Sequence, residues 1–375
     1  MLNLYSFLFK SAAYSMFFVI VSYAALLMLF TSCSANLSVQ HETPLADSST
    51  QAVQYSIVCF IHGDGDYIYH DTNGKEYKAD EQALAVAKKV AQQNPYAEVY
   101  IFHQKPKRHF LLFFPLRDGE FFYYRNGQLI ANELYWRDNE RSHFQNEVDF
   151  YQRFHENVKH DVVSMFLYYG HEVPEFDGAA YDASYPDRKF IIDDLAVGLK
   201  DFTHDSARFD LMILSTCYGG TPYTINALGP FAKTIIASPE NLHLSYFDLS
   251  PLERLDLRMR DGDVPTFAKR FAHEAFDQLE KDIQTEVSVA VYDIAGVDEY
   301  LLSVSAAYTK TLNTMKSEPL FPLTTIEHCD CAEFPEYLKP TMSAGVEILY
   351  RPALFGKSKF KQKHSGWECL RSVAP

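Results

Sequence analysis

Short, continuous apolar runs constrain this chain most. They are Tyr55–Ile61 (YSIVCFI), Ala97–Phe102 (AEVYIF), Val162–Tyr169 (VVSMFLYY) and Asp210–Thr216 (DLMILST). Each is the length of a strand. Each is apolar throughout instead of alternating, as expected of a strand buried on both faces. Lys233–Ala237 and Val287–Tyr292 repeat the pattern. The segments between them read as helices. Asp80 is placed to cap a helix over Glu81–Asn94 that Pro95 stops. A second helix at 146–159 carries Val148, Tyr151, Phe154 and Val158 on one face. Others are read at 190–203, at Thr266–Ile283 and onward to Met315. Alternation of this kind predicts an α/β fold with a mostly parallel six-stranded sheet flanked by helices. One stretch departs from it. Phe110–Leu116, Glu120–Tyr124 and Gln128–Trp136 are separated by Asp118-Gly119 and Asn126-Gly127. These turn signals predict an antiparallel β-hairpin insertion of three strands.

The ends of the chain differ from this body. Residues 1–32 contain one charge, Lys10, and an apolar run from Met16 to Phe30. The run is short for a membrane span and suits the core of a signal peptide. It leads into Leu29-Phe30-Thr31-Ser32-Cys33, which resembles a bacterial lipoprotein signal with Cys33 as the lipidated residue. The alternative is an ordinary signal peptide or short anchor helix, with Cys33 uninvolved. Residues 33–54 are rich in Ser, Thr, Gln and Ala and read as a flexible tether. The expected organisation is a signal segment at 1–32, the tether at 33–54, a folded domain at 55–313 and a small C-terminal extension at 314–375. It implies an envelope protein, lipid-anchored through Cys33 at an outer membrane or cell surface. The net charge of −15 argues against nucleic acid as a partner.

In open α/β sheets ligands bind beyond the carboxyl ends of the strands. Two successive core strands end in Gly170-His171-Glu172 and in Cys217-Tyr218-Gly219-Gly220. Neighbouring strands lie about 4.8 Å apart, so loops leaving them can bring Cys217 and His171 together. A thiolate nucleophile with an imidazole acid/base supports acyl transfer. The glycines let the backbone turn tightly, and amides near Cys217, Gly219 and Glu172 are candidate oxyanion donors. On spacing alone, Cys217 reads more readily as a small core residue, and His171 as a polar strand end, than as a catalytic pair.

The order of these elements resembles the caspase–legumain–gingipain clan of cysteine peptidases, and within it the clostripain-like family. The stretches that carry the likeness are YSIVCFIHGDGDY (55–67), FLYYGHE (166–172), FDLMILSTCYGG (209–220), KTIIASPENLHLSYFD (233–248) and VSVAVYDIAGVDEYL (287–301). The resemblance implies a caspase-like fold and endopeptidase activity on a peptide or protein substrate, with His171 as general acid/base and Cys217 as nucleophile. Two positions depart from the family pattern. Glu172 stands where a glycine usually follows the histidine. Ser215 stands where an aspartate usually floors the specificity pocket, so a preference for basic residues does not carry over. Glu240 and Asp248 are the other acids available to such a pocket. These departures keep open a second reading, an inactive surface lipoprotein of the same fold that binds a peptide or glycan.

Other clusters read more plainly. IHGDGDYIYHD (61–71) places Asp64 and Asp66 where they could hold Ca²⁺, but it lacks the full EF-hand pattern, and a Gly/Asp turn is the simpler reading. No cofactor or metal is otherwise implied. His62 in that run is a second-rank alternative base. Cys329, Cys331 and Cys369 include zinc-ligand types without a standard finger spacing, and a disulfide from Cys369 to Cys329 or Cys331 is at least as good a reading. Cys59, inside an apolar run, reads as a core thiol. The tail from Arg351 holds six bases against Glu368, and KSKFKQK (357–363) looks like the wet face of an edge strand.

Overall fold

The structure is a computed structural model. It describes residues 52–64, 68–70, 76–111, 114–137, 144–155, 162–176, 181–203, 208–242, 246–259, 263–298, 345–356 and 359. The Met16–Phe30 run, Cys33, Asp66, Val158, the three C-terminal cysteines and nearly all of 357–363 lie outside them, as does all but the first turn (294–298, helical) of the helix read on to Met315. Among the described residues no helix is long and apolar enough to cross a membrane.

The strands in chain order are β1 (Tyr55–His62), β2 (Ile68–His70), β3 (Glu76–Lys78), β4 (Ala97–Gln104), β5 (His109–Phe110), β6 (Phe114–Pro115), β7 (Gly119–Arg125), β8 (Gln128–Tyr135), β9 (Val163–Tyr169), β10 (Phe209–Ser215), β11 (Ala232–Ala237), β12 (Val287–Asp293) and β13 (Val346–Arg351). The helices are α1 (Ala79–Gln92), α2 (Gln145–Phe154), α3 (Ile192–Lys200), α4 (Pro222–Leu228), α5 (Leu255–Arg258) and α6 (Val264–Asp282). Nine strands form one sheet in the order β13-β12-β11-β10-β9-β1-β4-β7-β8. The middle five, β11-β10-β9-β1-β4, are parallel.

The mostly parallel α/β sheet is as expected, with three differences. The sheet has nine strands where six were expected, and β12 runs antiparallel to β11. A continuous apolar run reports burial on two faces but carries no direction, so the pattern could not show this reversal. The insertion adds β7 and β8 to the edge of the main sheet, beside β4. Its expected first strand is instead a separate two-residue hairpin, β5–β6. At the other edge β13, from the 314–375 segment, pairs with β12. Asp80 is not the cap of α1. That position is Lys78, and Asp80 lies inside the first turn, where its carboxylate meets His103 Nε2 at 2.8 Å.

Alternate residues of each parallel strand face opposite layers. Val58, Phe60, Tyr100, Phe102, Phe166 and Tyr168 pack with α2, α3 and α4. Ile57, Cys59, Ile61, Val99, Ile101 and Leu167 pack against α1 and α6. The first layer explains the high aromatic content. Phe60 lies 5.0 Å from Phe102 and 5.5 Å from Phe166, ring centre to ring centre.

Polar groups bind the carboxyl ends of β1, β4 and β8 together. Arg137, just past β8, donates through Nη1 to Asp182 Oδ2 at 3.1 Å, and both side chains are buried. Ser184 donates its amide and hydroxyl to Asp182 Oδ1. Gln104, ending β4, accepts from His62 Nδ1 at 3.1 Å and donates to Glu147, which also accepts from Tyr135. Breaking a buried ion pair from one side leaves the other charge without compensation. Arg137→Ala is expected to lower stability by about 3–5 kcal/mol, read as the shift of the urea midpoint. Arg137→Met combined with Asp182→Asn should recover much of that loss. Equal losses in both variants would show that the pair itself is not the cause.

Candidate active site

The parallel strands follow the order 2-1-3-4-5 along the chain, counting β1, β4, β9, β10 and β11 in turn. Connections leave β1 and β9 toward opposite sides of the sheet, which opens a crevice between their carboxyl ends. The pairings Ile61↔Tyr169 and Tyr169↔Ser215 make the ends of β1, β9 and β10 level. Asp64 lies three residues beyond Ile61, and His171 and Cys217 each lie two residues beyond their own aligned partners. Three chemically active side chains therefore leave three adjacent strands at nearly one height.

Each is held from several directions. His171 Nε2 meets Asp64 Oδ2 at 2.7 Å; the Asp64 carboxyl is buried and the imidazole about one-third exposed. The ionised carboxylate accepts, so Nε2 carries the proton and Nδ1 is the basic nitrogen. Tyr168 donates its hydroxyl to the His171 carbonyl at 3.1 Å and fixes the backbone there. Gly170 precedes His171 for a packing reason. A Cβ on it would stand 2.8 Å from the His62 Cβ and 2.9 Å from the His62 carbonyl oxygen.

Cys217 starts the turn after β10 and is buried. Its thiol donates to Asn241 Oδ1 at 3.3 Å. Tyr218 takes a left-handed φ of 53°. The amides of Tyr218 and Gly220 donate to the carbonyls of Glu240 (3.1 Å) and Ser238 (2.8 Å), which sews the turn to the chain leaving β11. Tyr292 donates its hydroxyl to the Gly220 carbonyl at 2.8 Å. A Cβ on Gly220 would meet that hydroxyl at 2.6 Å, so the position demands glycine. The loops after His171 and Cys217 are also joined, because Thr221 donates its hydroxyl to the buried Glu175.

The other expected residues are placed as follows. Ser215 is fully buried and its hydroxyl accepts the Phe247 amide at 2.9 Å. Glu240 is buried, with its backbone amide and carbonyl both bonded to the Ser238 hydroxyl. Asp248 is exposed and accepts from the amide and hydroxyl of Ser250, capping a 3-10 turn. Glu172 is half-buried beside His171, and Gly219 is buried. Asp64, weighed as a Ca²⁺ ligand, is instead the partner of His171. Among the described residues no group of three or more His, Cys, Asp or Glu is arranged to hold a metal ion. A cleft of about 610 Å³ opens beside Asp64, lined also by Asp80, His103, Lys105 and Lys107.

His62 is not available as a base. It is buried, stacked on Tyr181 with ring centres 4.2 Å apart. Burial, and then the Arg137 guanidinium, push its pKa down to about 4. Cys59 is the counterpart among thiols, since burial in β1 pushes it up to about 12. Sequence reasoning missed the Asp64–His171 pair, the Asn241 contact and the Glu175–Thr221 link. The position of Asp64 at the end of the first parallel strand was the one signal that could have found its role.

No family model matches the chain, and no curated protein matches it. Solved structures similar to it include the following three. One is an inactive zymogen C11 protease from Parabacteroides distasonis, at 16% identity and a TM-score of 0.45. The match covers 66% of this chain and 64% of that one, so the chain spans just under two thirds of its length. Another is a secreted C11 cysteine protease from Bacteroides thetaiotaomicron in complex with an irreversible peptide inhibitor, at 14% identity, TM-score 0.46, covering 68% of this chain and 69% of that one. The third is the secreted C11 cysteine protease "iotapain" from the same organism, at 12% identity and TM-score 0.46, covering 66% and 68%.

Two outcomes follow from the deep burial of Cys59 and His62. Iodoacetamide at mildly alkaline pH should modify Cys217 in the folded protein and leave Cys59 intact until urea exposes it, as read by peptide mass spectrometry. Faster labelling of Cys59 would contradict its burial. Unfolded His62 takes up a proton below its ordinary value of 6.5, whereas folded His62 does so only near 4. The unfolded state thus binds more protons between these values, and stability is lost as pH falls from about 6.5 to about 4. His62→Asn, which can still donate to Gln104, should flatten that slope of the thermal midpoint against pH.

Proposed function

We propose that this chain is a cysteine endopeptidase, with Cys217 as nucleophile and His171 as general acid/base. The observation that carries the reading is the level register of β1, β9 and β10, which brings an oriented imidazole and a cysteine to neighbouring strand ends at the crevice of the sheet. The Cys217 thiolate would attack the scissile carbonyl carbon while the His171 imidazolium protonates the departing amine. In the second half His171 would take a proton from water, which attacks the thioester and releases the acid. Asp64 would hold the imidazole in one tautomer and stabilise its charged form, the role of the third member in a Ser-His-Asp arrangement. The backbone amides at Gly219 and Glu172 are our candidates for the oxyanion donors. The similar structures include one bound to a peptide inhibitor, and we extend a peptide substrate to this chain as part of the proposal. Signal-peptide export and lipid anchoring through Cys33 belong to it as well.

The second reading, a binding protein of the same fold without turnover, is favoured by Ser215 and Glu172 at positions where the clostripain-like pattern has Asp and Gly. One experiment separates the two. A peptidyl electrophile library is offered to the purified protein, and turnover of a peptide library is profiled beside it. Covalent tagging at Cys217, lost in Cys217→Ala and at least about a hundredfold slower in His171→Ala, supports the peptidase. Asp64→Asn should lower turnover less than His171→Ala and shift the acid limb of its pH profile. Peptide binding without cleavage, unchanged in Cys217→Ala, would establish the second reading.

A further inference from the structure

Between β4 and β7 the chain reads Lys-Pro-Lys-Arg-His-Phe-Leu-Leu-Phe-Phe-Pro-Leu-Arg over residues 105–117. This segment has four bases, seven consecutive residues without a polar side chain, and no acid, in a protein of net charge −15. The fold leaves its described apolar side chains exposed. β5 and β6 pair only with each other and stand apart from the nine-stranded sheet. Phe110, Leu111 and Phe114 are 58, 66 and 62% exposed. Leu116, Leu134 and Trp136 continue the patch, with Arg117 Nη1 donating to the Leu134 carbonyl at 3.0 Å. Among the described residues, eight of the twelve exposed large hydrophobic side chains fall between 110 and 136. Six of these, Phe110, Leu111, Phe114, Leu116, Leu134 and Trp136, lie at the β5–β6 end of the insertion, whereas Leu129 and Ile130 lie at the far end of β8 by the Asn126-Gly127 turn; a cluster of this kind marks an interaction site.

Charge decides between occupants. The acids nearest in sequence are already engaged. Asp118 is buried, accepting from the Arg137 amide and the Tyr185 hydroxyl, and Glu120 is paired with Lys105. Lys107, Arg108 and Arg117 therefore frame the apolar tip with positive charge. A second copy docking through the same face would set these cations against each other across a two-fold axis. An anionic lipid surface meets both parts at once, with acyl chains for the aromatic tip and headgroup phosphates for the rim. We propose that the β5–β6 hairpin inserts into an anionic phospholipid surface. Phe110, Leu111 and Phe114 enter the acyl boundary, and Lys107, Arg108 and Arg117 lie at the headgroups. Lys107 and Arg108 also line the cleft beside Asp64, so insertion would hold that cleft close to the membrane. The inference rests on neither the peptidase reading nor lipidation at Cys33.

The test uses the full chain with a Leu111→Trp reporter, compared with the wild type to subtract Trp136 and Trp367. Vesicles are equimolar phosphatidylcholine and phosphatidylglycerol with brominated acyl chains. The local readout separates hairpin insertion from any hold by the N-terminal apolar run. The expected result is a blue shift and loss of the added emission. Both should be absent with pure phosphatidylcholine, and absent when Lys107, Arg108 and Arg117 are changed to Gln. Unquenched emission from vesicle-bound protein overturns the proposal. Equal quenching by neutral vesicles overturns its electrostatic part. A shift that follows protein concentration without lipid assigns the face to a second copy and overturns it too.

Discussion

The parallel register across β1, β9 and β10 is the constraint on which the rest of the structure depends. A strand pair that slipped by one residue would turn every side chain to the opposite layer. Phe60, Phe166 and Met212 would leave the aromatic layer, and Cys59, Leu167 and Ile213 would enter it. The difference in size between the two layers therefore locks the register. The register in turn fixes how far each loop travels before Asp64, His171 or Cys217 appears. The Asp64–His171 contact and the Thr221–Glu175 link both span neighbouring strands of this one ladder. The geometry of the site is thus a consequence of core packing and not of the loops alone.

Electrostatic environment separates residues of the same type. His62 and His171 both lie at carboxyl ends of core strands. His62 is buried under Tyr181, near Arg137, where a proton is disfavoured. His171 is partly exposed, with the Asp64 carboxylate on Nε2. Cys59 and Cys217 divide in the same way, one inside β1 and the other on a turn with a polar neighbour. The Arg137–Asp182 pair contributes to both outcomes. Its guanidinium disfavours the charged form of His62 while its carboxylate favours it, and the pair ties the 181–185 loop over the end of β8.

The residues that were legible in sequence are those whose role is local. Continuous apolar runs marked β1, β4, β9 and β10 nearly to the residue, because burial on both faces leaves no polar alternation. Pro95 and the Asn126-Gly127 turn marked boundaries for the same local reason. Direction and partnership were not legible. β12 looks like any buried strand and runs the opposite way. The Phe110–Leu116 stretch has strand composition, yet its neighbours on the sheet edge are already satisfied by β7 and β8. Asp64 and Asn241 carry no mark of their partners, which lie far along the chain. Asp80 had the right residue type for a cap but lies two residues past the cap position, and its carboxylate meets His103 instead.

Ser215 shows how such a departure changes the chemistry beside Cys217. Where the clostripain-like pattern has a pocket carboxylate, the Ser215 hydroxyl accepts the Phe247 amide and is closed off. This bond draws the 246–249 segment onto the end of β10. It also brings Tyr246 face to face with Tyr169, ring centres 3.9 Å apart. Tyr169 is two residues before His171, so the wall on this side of the crevice is aromatic and uncharged. An aspartate at 215 would lie buried beneath it, facing the backbone N–H of Phe247, and could not meet a substrate cation without moving that wall. Substituting Ser215 alone is thus insufficient to install a basic-residue pocket; the Tyr169–Tyr246 stack would have to open with it.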